Sequence, residues 1–153
     1  MEKLKPITRF RAALGLFIIG LVISGVTAFP LLWELRLLHN LMGGGEGWIG
    51  TIRHGLEEMY GRHPWIAYGT DWLAFGHIVI AFFFIGPLID PANSKSSLIA
   101  GIVACIGVIP LALICGPIRE IPIFWRLIDC SFGVIGILPL IYCLRLIPRI
   151  KES

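Results

Sequence analysis

This sequence has little charge. Only 15% of its 153 residues are Asp, Glu, Lys or Arg, against about 25% in an average soluble domain. Apolar residues reach 56%, and mean hydropathy is +0.83. A soluble fold of this length has too little interior to hide so much apolar surface. The balance therefore points to a bilayer as the surrounding solvent. The net charge of +3 gives no reason to expect a nucleic-acid partner. Catalytic signatures are missing as well: there is no HExxH, no GxSxG, no phosphate-cradling glycine loop and no CxxCH haem-attachment site. Cysteine is scarce. Cys105, Cys115, Cys130 and Cys143 lie in or beside apolar stretches, with no CxxC or Cys/His zinc spacing. They read as small buried hydrophobes. Cys115 and Cys130 also flank one hairpin at similar depth, so a disulfide facing an oxidising compartment is an alternative.

What the sequence does have is four long apolar runs, at residues 12–33, 72–89, 98–118 and 127–144. The first and third carry no charge, the second holds only His77, and the fourth holds Asp129. About 20 apolar residues in a helix cross the hydrocarbon core. Barrel strands would alternate apolar and polar residues, and these runs do not. The expected fold is an all-α membrane protein: one domain over residues 1–153, a four-helix transmembrane bundle with a short extra helix in the outer loop. Pro30, Pro87, Pro110 and Pro139 sit in or near the runs and mark kinks. The first run also has the outline of a secretory signal, with Lys3, Lys5, Arg9 and Arg11 as basic region and Val26-Thr27-Ala28 as cleavage site. It is long for that role and is read as a retained helix.

Basic residues set the orientation. With both termini cytoplasmic, the inner segments carry Lys3, Lys5, Arg9, Arg11, Lys95, Arg145, Arg149 and Lys151, while the longer outer ones carry Arg36, Arg53, Arg62, Arg119 and Arg126. Trp33, Trp48, Trp65, Trp72 and Trp125 all fall on the outer side, where indole favours the headgroup layer. That one-sidedness predicts added structure in the outer segment, residues 34–70. A helix continues past Pro30 to about Met42, Gly43-Gly44-Gly45 ends it, and a second helix covers residues 48–60. Trp48, Ile49, Ile52, Leu56 and Met59 give that second helix an apolar face. Gly61, Pro64 and Gly69 then punctuate the chain, and Thr70 caps the next span. Short links, DPANSKSS inside and GPIREIPIFWR outside, make sequential helices antiparallel neighbours.

Ionisable residues at membrane depth are costly and are functional candidates by default. Asp71, His77, Arg119, Arg126 and Asp129 all fall at the outer level of their spans, together with Cys115 and Cys130. They form the candidate ligand-binding cluster. Each also has a structural reading. Arg126 and Asp129, three apart, are positioned to pair on one helix face. Asp71 would support a helix N-terminus, and His77 would bond a neighbouring helix. Gly133 and Gly136, and Gly76 and Ala81, would let helices approach closely or leave room for a ligand. Glu57 and Glu58 read as a solvated face. His77 is a weak metal candidate and a candidate haem b ligand, with His39, His54 or His63 as a second ligand.

The stretches YGTDWLAFGHIVIAFFFIGPLIDP and IPLALICGPIREIPIFWRLIDCSFG resemble those of uncharacterised small bacterial inner-membrane proteins with four predicted transmembrane helices. The resemblance covers the C-terminal half and implies a bacterial inner-membrane setting, without an activity. Three readings follow. The first is a polytopic inner-membrane protein with a periplasm-facing polar site, binding a small ligand or lipid or serving as a subunit of a membrane assembly. The second is a haem- or quinone-binding redox protein using His77. The third is a homo-oligomeric transporter or channel.

Overall fold

Every regular element among the described residues is helical. The computed structural model describes residues 5–45 and 47–152; Lys3, assigned above to the basic inner flank, lies outside them. The helices are α1 (Pro6–Ala28), α2 (Leu31–Leu41), α3 (Trp48–Arg62), α4 (Ala67–Phe83), α5 (Ile85–Ile89), α6 (Lys95–Ile118) and α7 (Ile123–Lys151), with short 3-10 turns at Pro64–Ile66 and Pro91–Asn93. Four stretches are long and apolar enough to cross a membrane: Pro6–Ala28, Pro64–Ile89, Lys95–Ile118 and Ile123–Lys151. This is the pattern of a multi-pass membrane protein. Large side chains such as Leu16, Phe83, Ile114 and Ile135 are exposed on these helices, which carries no penalty when lipid is the solvent.

The prolines act in two ways. Pro30 separates α1 from α2. Pro87 has no N–H to give and crowds the carbonyl of Phe83, four residues back; α4 stops at Phe83 and α5 restarts at Ile85. By contrast, Pro110 and Pro117 stay inside α6, and Pro139 and Pro148 inside α7. For Pro110 and Pro139, within the apolar runs, a spanning helix keeps its form because no water competes for the remaining backbone bonds.

The chain divides into two units, Met1–Ile19 with Phe82–Ser153, and Gly20–Ala81. In the first, the start of α1 packs with α5, α6 and α7 around Phe10, Leu14, Leu98, Leu140 and Cys143, all fully buried. Phe17 meets Phe84 edge to face at 5.0 Å between ring centres. Helices α6 and α7 run antiparallel and approach at glycines. A methyl on Gly133 would lie 2.5 Å from the Cys105 carbonyl oxygen, and one on Gly101 would lie 3.0 Å from Leu140 Cδ1. Small residues let the backbones close in, so dispersion contacts accumulate where lipid supplies no hydrophobic drive. The turn between α6 and α7 is a Schellman motif, with Ile121 N–H on the Gly116 carbonyl at 2.9 Å and Glu120 N–H on Pro117 at 3.1 Å. Its left-handed position is held by Glu120, at φ 58°.

In the second unit, Gly25 near the end of α1 lies against α4, where a methyl would be 2.8 Å from the Ala74 carbonyl and from Ile78. The expected outer helices are present as α2 and α3, a helical hairpin. Gly43 and Gly44, at φ 85° and 71°, close α2 with the same motif, Gly44 N–H reaching the His39 carbonyl at 2.9 Å. The approach to span two differs from expectation. Helix α3 continues through Gly61, and α4 begins at Ala67, ahead of Gly69 and Thr70. Pro64, with its fixed φ, opens a 3-10 turn that leads straight into α4. Thr70 is therefore interior to the helix and does not cap it. Its hydroxyl pairs with the Tyr60 hydroxyl at 3.1 Å.

Candidate functional site

In the first unit, Arg119, Arg126 and Asp129 lie around the α6–α7 turn. Arg126, in the first turns of α7, lays its aliphatic stem across Gly116 of α6; a methyl at Gly116 would sit 2.6 Å from Arg126 Cγ. Glycine there makes room for the arginine stem. Arg126 Nε is buried without a hydrogen-bond partner among the described residues. No ion pair joins Arg126 to Asp129 among the described residues. Helical spacing permits the pair, but the arginine is drawn across to the neighbouring helix. Asp129, about 9 Å along α7 from its start at 1.5 Å per residue, is exposed and has no partner among the described residues. Arg119 closes α6 and is also exposed without an ion pair there. Cys115 and Cys130 are free thiols, and the Cys130 thiol points to the Ile109 carbonyl at 4.0 Å.

The paired small residues divide. Gly133 does face α6 closely, and Gly136 meets Cys105 Sγ and Phe17. On α4 the reading fails for Gly76, where an added methyl would meet nothing within 4 Å, whereas Gly25 on α1 makes the close approach. The packing role of Gly25 had no distinct sequence signal.

In the second unit, Asp71 is half-buried in the second turn of α4, beyond the first-turn position where a carboxylate best complements the helix dipole. His77 bonds its own helix, not a neighbour: Nδ1 lies 2.9 Å from the Leu73 carbonyl. A carbonyl only accepts, so Nδ1 carries the proton. No group of three or more His, Cys, Asp or Glu is arranged to hold a metal among the described residues.

The most connected polar site is on the α2–α3 hairpin. Glu57 accepts from Arg36 Nε at 2.8 Å and from Arg53 Nη1 at 3.2 Å. The Arg36 hydrogen bond, with the charge of Arg53 beside it, holds the Glu57 carboxyl below the usual carboxylate range. Arg53 Nη2 also lies 3.1 Å from His54 Nε2. Beside this network is a cleft of about 340 Å³ lined by His39, Gly44, Gly45, Gly50, Thr51, Arg53 and His54. Glu57 is thus an ion-pair centre and no mere solvated face, while Glu58 pairs with Arg62 in the open. The Arg53–Glu57 spacing of four was visible in the sequence. Arg36, 21 residues away, joins only once the hairpin closes. No known protein family, curated protein or solved structure matches this chain.

Proposed function

We propose that this chain is a subunit of a bacterial inner-membrane assembly, with both termini cytoplasmic, and that it assembles with copies of itself through the α6–α7 turn. The observation that carries the reading is Asp129, an exposed carboxylate without a partner among the described residues, on a spanning helix. A carboxylate on a spanning helix is costly even towards the interface, and such groups are relieved by pairing. Arg119, exposed at the same turn, is a complementary group that a second copy would present. The orientation rests on the basic residues at the other end of this unit, Arg9, Arg11, Lys95, Arg145, Arg149 and Lys151. The bacterial setting rests on the resemblance of the C-terminal half.

Native mass in mild detergent tests this. A dimer or larger species is expected for the wild type. Asp129→Arg should shift it towards monomer, and Asp129→Arg with Arg119→Asp should restore it. A wild type that is strictly monomeric, or a charge reversal that leaves the mass unchanged, overturns the reading. The α2–α3 cleft favours a second role for the same protein, capture of a small polar ligand on the periplasmic side. A thermal shift with carboxylate or phosphate solutes, abolished by Arg53→Ala, is its signature.

A further inference from the structure

The basic end of the first unit holds a second cleft, of about 380 Å³, between the start of α6 and the end of α7. Ala92, Asn93, Lys95, Ser96, Ile99 and Lys151 line it. The basic groups at this end are not equivalent. Arg9 donates to the Tyr142 hydroxyl at 2.6 Å and lies over its ring. Arg11 is committed to the carbonyls of Leu88 and Ile89, which end α5. Lys95 and Lys151 are exposed and make no ion pair among the described residues. Two carboxylates lie near them in sequence. Asp90 accepts a hydrogen bond from Asn93 at 2.9 Å, and Glu152, next to Lys151, is exposed and unpaired among the described residues.

We propose that this cleft binds the headgroup of an anionic phospholipid, with Lys95 and Lys151 on the phosphate and the Ser96 hydroxyl as a further donor. Both α6 and α7 are of spanning length, so their ends lie at the headgroup layer. A site there meets phospholipid at high local concentration. The lysines come from two helices and line one open cleft, so a single headgroup there meets both charges. The apolar half of the lipid also has a path. Lys95, Ile99 and Val103 are spaced by four and share one face of α6. Ile99 and Val103 are exposed at 43% and 61%. An acyl chain descending from the lysines would lie along them. This stripe distinguishes a lipid from free phosphate, which would use only the charged end.

The test is native mass spectrometry of the delipidated protein titrated with dioleoyl phosphatidylglycerol or dioleoyl phosphatidylcholine. The two share chains and differ in net charge. Phosphatidylglycerol should be retained preferentially. A lysine near an anionic surface contributes about 1 kcal/mol, about fivefold in affinity. Lys95→Gln and Lys151→Gln should each lower phosphatidylglycerol retention about fivefold, and the double variant about thirtyfold. Arg145→Gln, an exposed change outside the cleft, should leave it within about twofold. A double variant that keeps the preference overturns the proposal. So does an equal loss in Arg145→Gln, which would mean diffuse attraction. Displacement of the lipid by inorganic phosphate at matched concentration would mark a phosphate site and overturn the lipid assignment.

Discussion

Alanine at Gly133 is expected to be the most damaging of the glycine-to-alanine changes along the α6–α7 contact, because the obstacle is backbone. The added methyl would lie 2.5 Å from the Cys105 carbonyl oxygen, where ordinary contact begins at 3.4 Å. The two helices must therefore separate locally by about 0.9 Å, the difference between those distances. Overpacking of this kind costs about 1–3 kcal/mol, and a carbonyl fixed in a helix places the change towards the upper end. Alanine returns about 1 kcal/mol through its better helix propensity, leaving a net loss of about 2 kcal/mol. At Gly107, also on α6, nothing lies within 4 Å of the new methyl, so only the propensity gain of up to about 1 kcal/mol applies. Gly136 is intermediate, its nearest neighbour being Cys105 Sγ at 3.0 Å. SDS-titrated unfolding in micelles, followed by far-ultraviolet circular dichroism, measures all three. The discriminating arm is Cys105→Ala. It removes the sulfur but keeps the carbonyl, so it should relieve Gly136→Ala and leave Gly133→Ala unrelieved. Equal stability of Gly133→Ala and Gly107→Ala, or rescue of Gly133→Ala by Cys105→Ala, would refute the close-approach argument.

Two further predictions concern the turns and the hairpin. Glu120 occupies the left-handed position of the α6–α7 turn at φ 58°, so Glu120→Gly should raise stability by about 1 kcal/mol, and a loss of stability in the same titration would contradict that. Glu57 is held below the usual carboxylate range by Arg36. Its ionised form therefore supports the hairpin above that range, and the support is lost as pH falls through the lowered value. Arg36→Ala should move the midpoint of acid loss upward in a melting-temperature profile against pH, and Glu57→Gln should remove the step.

The candidate cluster was legible only in part. Asp129 and His77 stood out because an ionisable residue inside an apolar run has few neutral explanations. Their partners were not legible. Spacing allowed Arg126 to pair with Asp129, but the arginine stem found a groove at Gly116 on the facing helix. His77 turned to its own Leu73 carbonyl. The hairpin network was half visible: Arg53 and Glu57 share a helix face by count, whereas Arg36 enters from a different helix. Thr70 was misread as a cap because a threonine before an apolar run is a common start signal. The geometry fixed by Pro64 had already started the helix three residues earlier.

By itself, the sequence determined that the protein is helical, that four stretches are of spanning length, and where α2 ends. Those follow from run length, from the lack of alternation and from three successive glycines, all properties of neighbouring residues. Only tertiary structure decided which glycines are contacts. Gly25, Gly101, Gly116 and Gly133 face other elements closely, while Gly15, Gly20, Gly76 and Gly107 face nothing within 4 Å. A glycine's role depends on what lies opposite it, and in a chain of short links that is set by helix rotation. Rotation is fixed by packing against partners distant in sequence. The same cause left Asp129 exposed and Arg126 turned away from it.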